Sequence, residues 1–469
     1  MKPGFIRDGL LLPEKETPAV DELLNTSFQE AHLGAQEIYK DLSISDPERK
    51  SQITQALKSG ESVSLAATHL DIEFLDKRLK TLKEWKRNLI ADESVDSEVK
   101  QLYRWRVNED IANIYILAAS YTGNEKAYKK WNEFIYGKPN EDIYRAALDW
   151  VGNDAEKIIS DKSASEFAKQ AAQDVLDRLD GKRGDRNVLI PDSEVYEKVR
   201  EDHFGELGYY ALLLAGIDVP NDGKINNETG DPILRHVIRN NLKSNYGLAD
   251  ASGATWGVAH STESIERPSK YDMPWRRFVG LGLGHEIGSH LLEKENAERG
   301  PLSLAASGLD RYEHGNEGRG VVREEIMYST FNEFGKQLRW RDIMRRHISI
   351  SYGYGLEGGQ KSPAEVYDFM HTIDTMYAAK TSENLDEAKE KASSKTESLV
   401  TRSLRGVGEN GGAYLKDKTY LEGHVAVWTV AAKRGVKAIS EGDLGKFDIN
   451  NPRHISALQK LGLLPNEMQ

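Results

Sequence analysis

The chain has 469 residues, and its 63 basic and 75 acidic side chains give a formal charge of −12 with no cysteine. That length allows about three domains, or one large catalytic unit with a helical extension. Without cysteine there is no disulfide framework, thiolate zinc site, iron–sulfur cluster or cysteine nucleophile, so any metal must be held by His, Asp or Glu.

The acidic balance and a pI near 5.6 argue against general binding to a phosphate backbone, which runs on Lys and Arg. No nucleic-acid partner is expected. The N-terminus offers only the short apolar stretch Leu10-Leu11-Leu12 before Pro13, too little for a secretory core. The longest apolar run, Leu207 to Ile217, falls well short of the ~18 residues needed to cross a bilayer. These features predict a soluble, cytoplasmic protein with no membrane partner.

From Asp46 to Leu179 the pattern is helical. Asp46-Pro47-Glu48 reads as an N-cap, a first-turn proline and a dipole-complementing acid. Ile72, Leu75, Leu79, Leu82, Trp85 and Leu89 recur every three or four positions, as one apolar face of a helix does. A further helix is predicted through Leu102, Trp105, Ile111, Ile114 and Leu117, and others over Ile143 to Val151 and Phe167 to Leu179. The polar, glycine-bearing stretch from Asp180 to Asp185 reads as a boundary. It divides a helical region, 1–185, from a catalytic domain, 186–440, with a C-terminal tail, 441–469, packed on that domain.

Asp218 to Pro232 reads as a surface loop. Pro220 at a ligand position and Thr229 at the twelfth position argue against a calcium loop. Ala254 to Arg267 is strand-like, with Thr255, Trp256, Val258 and Ile265 ended by Pro268. Asp272 and Pro274 then look like the cap and first turn of a helix. Gly353 to Lys361 is glycine-rich but lacks the Gly directly before Lys-Ser that a phosphate loop needs. Ser362-Pro363-Ala364-Glu365 is a capping box, and Ala379 to Thr401 reads as a solvated helix. Arg339-Trp340-Arg341 and Arg345-Arg346-His347, interspersed with Asp342, read as ion-paired surface.

Within the helix after Pro274 stands His285-Glu286-Ile287-Gly288-Ser289-His290. Zinc peptidases commonly place two histidines four residues apart, with the Glu after the first as general base. Here the spacing is five. On a regular α-helix these positions lie about 140° apart and cannot share an ion. A π-bulge closes that angle, and Gly288 lies where the backbone has to widen. The predicted element is therefore a bulged metal helix.

Downstream, Gly308 to Gly320 reads as a turn leading into a helix that begins at Val321. A carboxylate at that helix start, Glu317, is a candidate to complete a His/His/Glu site with a fourth position left for water. Glu324, seven residues on, shares its face and is placed to orient a histidine from behind. The spacing alone leaves Glu313 and His314 open as the third ligand.

These residues resemble the tyrosine carboxypeptidase family of zinc metallopeptidases, which includes the microtubule-associated tyrosine carboxypeptidases and bacterial proteins with a Gln-Glu-Gly-Leu-Ala motif. The resemblance rests on three segments. They are the His285 to His290 motif, then Gly308-Leu309, Tyr312 and Asn316-Glu317-Gly318, and then Arg405-Gly406 with Lys416-Asp417 and Tyr420-Leu421-Glu422-Gly423. It covers roughly residues 190 to 440 and implies a mainly α zincin-like fold with a small β-sheet. It also implies zinc held by His285, His290 and Glu317, with Glu286 as the base. The family's Leu-Ala is replaced here by Arg319-Gly320, which bears on pocket shape.

The implied reaction is removal of the C-terminal residue of a peptide or protein. Glu286 takes a proton from water and returns it to the leaving amine. Arg405, Lys416 and Lys418 are candidates to grip the terminal carboxylate, and the Tyr420 hydroxyl to stabilise the oxyanion. The strand before the metal helix is placed to hold an extended peptide by strand addition. Two other readings fit the same residues: a zinc endopeptidase, and a non-catalytic helical interaction protein with a structural metal site.

Overall fold

The computed structural model describes residues 10–12, 19–32, 42–205, 209–218, 223–251, 256–328 and 338–465. The chain is mainly helical with a small sheet component. Helix Pro47–Ser59 starts where Asp46 accepts from the Glu48 N–H, with Pro47 in its first turn. Helix Ile72–Ala91 buries Leu75, Leu82 and Leu89, one residue every two turns, while Ile72 stays 42 % exposed. The apolar face thus begins at Leu75. Helices Ser97–Tyr121, Glu141–Ser160 and Glu166–Leu179 follow where the periodicity places them.

Among the described residues, one hydrophobic cluster runs from Leu10 to Leu464 and draws on residues on both sides of 180–185. That segment is itself held down. The Gly184 N–H donates to Arg145 O at 3.0 Å, and Arg183 pairs with Asp149 and Glu156 at 2.8 and 2.5 Å. No helix among the described residues is long and apolar enough to cross a membrane.

Several expectations shift in the middle of the chain. The predicted loop from Asp218 to Pro232 contains strand β1, Lys224–Asn226, and helix Asn227–His236, opened by an Asn226/Thr229 capping box. Pro220 and Asp222 lie outside the described residues, as do Ala254, Thr255 and Leu207. The single strand expected before the metal helix is a hairpin of β3, Gly257–Ala259, and β4, Ser264–Pro268. β2, Gly247–Ala251, pairs in parallel with β4, and the order β2-β4-β3 leaves β3 at one edge. Asp272 and Pro274 belong to strand β5, Asp272–Pro274, paired antiparallel with β1, so the next helical turn begins at Trp275. Pairing with Lys224 at 2.9 Å draws Asp272 into that ladder.

The Ser362/Glu365 capping box opens helix Pro363–Ala379. The charged stretch that follows is helix Leu385–Ser403, and it still buries Ala388, Ala392, Leu399 and Val400. In helix Leu338–Tyr354, Arg345 is ion-paired with Asp374 at 2.5 Å and Asp342 at 3.3 Å. His347 is fully buried, so this segment is core rather than surface. The side chains of Arg339, Trp340 and Arg341 lie outside the described residues.

The N-terminal helices brace the loop that precedes Glu317. Arg106 Nη1 donates to Leu309 O at 3.3 Å, and Glu109 Oε2 accepts from the Arg311 N–H at 2.5 Å. This contact holds Arg311 at a φ of 55°, a left-handed conformation that few side-chain-bearing residues adopt.

Candidate metal centre

The segment Phe278–Leu291, which carries both histidines, is a π-helix that continues into helix Leu292–Arg299. Its hydrogen bonds close from i to i+5, so residues five apart stand one turn apart. The Leu292 N–H donates to Ile287 O, and Ser289 Oγ donates to Gly284 O at 3.1 Å, both with that period. The widening is a whole 14-residue segment rather than one bulge at Gly288. Gly288 contributes its carbonyl, which accepts from Arg323 Nη1 at 2.8 Å. Gly282 and Gly284 let neighbours close in, since a Cβ there would stand 3.0 Å from Trp256 and 2.9 Å from the Tyr210 hydroxyl.

Glu317 stands within helix Glu313–Tyr328 and not at its start. The helix begins eight residues before Val321 because Gly315, Gly318 and Gly320 serve close approaches rather than turns. A Cβ on Gly318 would lie 2.3 Å from the backbone of Gly423, and one on Gly315 would lie 2.5 Å from Asp448. Helix Glu313–Tyr328 thus lies backbone to backbone against helix Lys418–Arg434.

His285, His290 and Glu317 offer ligand atoms that all lie within 4.8 Å of one another, a group that could hold a metal ion. Glu317 Oε2 is 3.5 Å from His285 Nε2 and 3.9 Å from His290 Nε2, and the imidazoles meet edge to face at 76°. Two ligands at ~2.1 Å from a tetrahedral ion stand about 3.4 Å apart, so the spacing fits an ion better than hydrogen bonds. Glu317 Oε2 is buried with no hydrogen-bond partner, as an atom reserved for a cation would be. Two nitrogens and one carboxylate oxygen are a donor set that suits zinc.

The outer nitrogens are held from behind. His285 Nδ1 faces Glu324 Oε2 at 3.4 Å, and His290 Nδ1 is 3.0 Å from Asn316 Oδ1. Such partners fix the tautomer and turn Nε2 toward the ion. Glu324 was legible from its seven-residue spacing to Glu317. Asn316 was missed as a positioning group, although it directly precedes Glu317. The other two candidates for third ligand are engaged elsewhere: Glu313 pairs with Lys416 at 2.6 Å, and His314 Nδ1 faces Asp448 at 3.3 Å.

Burial would lower the proton affinity of His285, but the carboxylates of Glu317 and Glu324 outweigh it and hold the ring up at about 10. Burial, with His285 and Lys446 nearby, pushes His290 down to about 3. Burial opposes ionisation of Glu317 as well, yet the two histidines and Lys416 bring it down to about 2. Glu286 is also buried, 6 % exposed. The pocket therefore collects the carboxyl groups of Glu286, Glu317 and Glu324 around two imidazoles, and it is these acids that hold a positive charge on His285.

Arg319, where the resemblance expects Leu, does not shape a pocket. Fully buried, it pairs with Glu293 and with Asp443 at 2.9 Å, and Asp443 also binds Arg323 at 2.6 Å. The pair of arginines thus ties helix Glu313–Tyr328 to the C-terminal segment and, through Gly288 O, to the π-helix.

The remaining predicted residues divide. Tyr420 is half-buried, and burial together with the charge of Glu317 raises its hydroxyl pKa. The Arg346 guanidinium stands 5.3 Å from its ring centroid. Lys416 acts on both Glu317 and Tyr420, so it too belongs to this neighbourhood. Lys418 turns elsewhere, pairing with Glu422, which His347 Nε2 also contacts at 2.9 Å. Arg405 directs Nη1 to Ser43 Oγ at 3.2 Å and lies 5.8 Å from the Tyr414 ring centroid.

No family model, no curated protein and no solved structure matches this chain.

Proposed function

We propose that this chain is a zinc-dependent metallocarboxypeptidase, similar to the tyrosine carboxypeptidase family, that hydrolyses the last peptide bond of a peptide or protein. The observation that carries the reading is the meeting of His285 Nε2, His290 Nε2 and Glu317 Oε2 beside a glutamate that directly follows the first histidine. Those three atoms would hold the ion. When bound, zinc supplies Lewis-acid polarisation of the scissile carbonyl and makes water more acidic.

The chain's own groups do the rest. The Glu286 carboxylate receives the proton of the attacking water and returns it to the departing amine, so one C–N bond is exchanged for one C–O bond. Its burial keeps bulk water from competing for that proton. The Tyr420 hydroxyl, kept protonated by its surroundings, donates toward the carbonyl oxygen as charge develops there. Lys416, held charged by Glu313, adds positive potential on the same side.

The test is metal analysis of the purified protein, joined to digestion of paired peptides with a free or amidated C-terminus. One zinc per chain and loss of a single C-terminal residue from the free acids are expected. Undiminished cleavage of the amidated peptides defeats the exopeptidase assignment in favour of an endopeptidase. Zinc without turnover leaves a structural site.

A further inference from the structure

Lys446 lies in the C-terminal segment, is only 5 % exposed, and its Nζ stands 5.9 Å from the centroid of the Tyr312 ring, five residues before Glu317. The same Nζ stands 2.8 Å from His260 Nε2, and His260 Nδ1 stands 2.8 Å from the Tyr246 hydroxyl. With the lysine charged, Nε2 accepts from it and Nδ1–H donates to the Tyr246 hydroxyl, which makes the imidazole neutral. The lysine is therefore held by a neutral acceptor and, among the ion pairs of the described residues, meets no carboxylate. That is unusual, because a buried ammonium ordinarily takes a counter-charge.

The surroundings sharpen the point. Burial and the cations Lys294 and Arg106 bring Lys446 down to about 7, with Glu298 and Glu313 opposing only in part. Its charge in turn acts on His290, so the two groups share one neighbourhood. His260 directly follows the edge strand β3, which ends at Ala259. An extended peptide lying along β3 would run its end toward this lysine.

We propose that Lys446, presented by His260 and Tyr246, is the receptor for the terminal carboxylate of the substrate. The bound anion supplies the missing counter-charge. Neither Arg405 nor Lys418 meets this requirement, since both already have partners away from the ligands. The inference rests on the carboxypeptidase reading only for what lies next to the carboxylate, and the anion site stands without it.

The experiment compares the zinc-loaded full chain with its Lys446→Met variant, using 3-phenylpropionate and 3-phenylpropionamide as probes in calorimetry. Neither probe has a scissile bond, so no turnover is needed, and any direct contribution of zinc is common to both proteins. Wild type is expected to prefer the acid over the amide at least tenfold more strongly than the variant does. The variant is also expected to melt no lower than wild type, because removing a buried charge without a counter-ion relieves desolvation. An unchanged acid preference overturns the proposal. So does a variant that melts well below wild type or fails to fold, since that marks Lys446 as a structural group. An acid preference that is lost in Lys446→Met, together with no peptide turnover by wild type, removes the peptidase reading and leaves the anion site.

Discussion

Gly320 lies against the face of the His285 imidazole, so close that a Cβ at that position would stand 2.7 Å from His285 Cε1 and 2.9 Å from Nε2. This is the position at which the motif of the family this chain resembles carries Ala, and here the ring occupies the space the methyl group would need. Gly320→Ala should therefore move His285 while leaving the helix intact. A stability loss of ~1–3 kcal/mol is expected from overpacking, with zinc affinity falling by at least about tenfold because a ligand shift of tenths of an ångström is enough. Thermal melting and competition against a metal indicator would read the two effects separately, and unchanged zinc affinity would count against the packing argument.

The groups behind the histidines should matter for the metal and less for the fold. Glu324→Gln weakens the partner of His285 Nδ1, and Asn316→Ala removes that of His290 Nδ1. Each is expected to lower zinc affinity by about 10–100-fold. A variant that binds zinc as wild type does would show that its partner only fills space.

The Arg319, Arg323, Glu293 and Asp443 cluster should carry stability. Asp443→Asn leaves two buried guanidinium groups short of charge, at a cost of roughly 3–5 kcal/mol. Because Arg323 also donates to Gly288 O, the same variant should loosen the π-helix. Faster amide exchange across 285–291 than in the N-terminal helices is the expected signature. A uniform loss of protection would indicate general destabilisation only.

A second buried cluster sets an acid limit. Burial opposes the charge on Glu422, but His347 and Lys418 hold its carboxyl down at about 2, from an ordinary 4.5. Its folded-state pKa is depressed, so the unfolded chain binds the proton first as pH falls. The contribution is complete above about pH 4.5 and is lost as pH drops toward 2, a change of roughly 3 kcal/mol. Glu422→Gln should be less stable than wild type at pH 6, and the difference should shrink toward pH 3. A constant difference across that range would contradict the assignment.

Much of this was legible in the sequence, and the remainder was hidden for identifiable reasons. The caps at Asp46 and Ser362 were readable because side chain and backbone lie within three residues. The five-residue histidine spacing required a widened helix, since no regular one brings the rings together. The start of helix Glu313–Tyr328 was misplaced because its glycines look like turn residues, whereas tertiary contacts with His285, Gly423 and Asp448 explain them. Arg405 and Lys418 were read as candidates to grip a carboxylate; the partner of Arg405, Ser43, is 362 residues away and leaves no local signal, whereas Glu422, four residues after Lys418 on one helix, was there to be read. The contact between Lys446 and His260 spans 186 residues, a separation that leaves no local signal.

The most direct test of the central claim is turnover of a free-acid peptide by zinc-loaded wild type and by Glu286→Gln at equal zinc content, followed by mass spectrometry. The account predicts products shortened by one C-terminal residue, with the variant slower by at least about 10²–10⁴-fold, the range expected for loss of a general base. Equal turnover by the two proteins, or none by either, would contradict it.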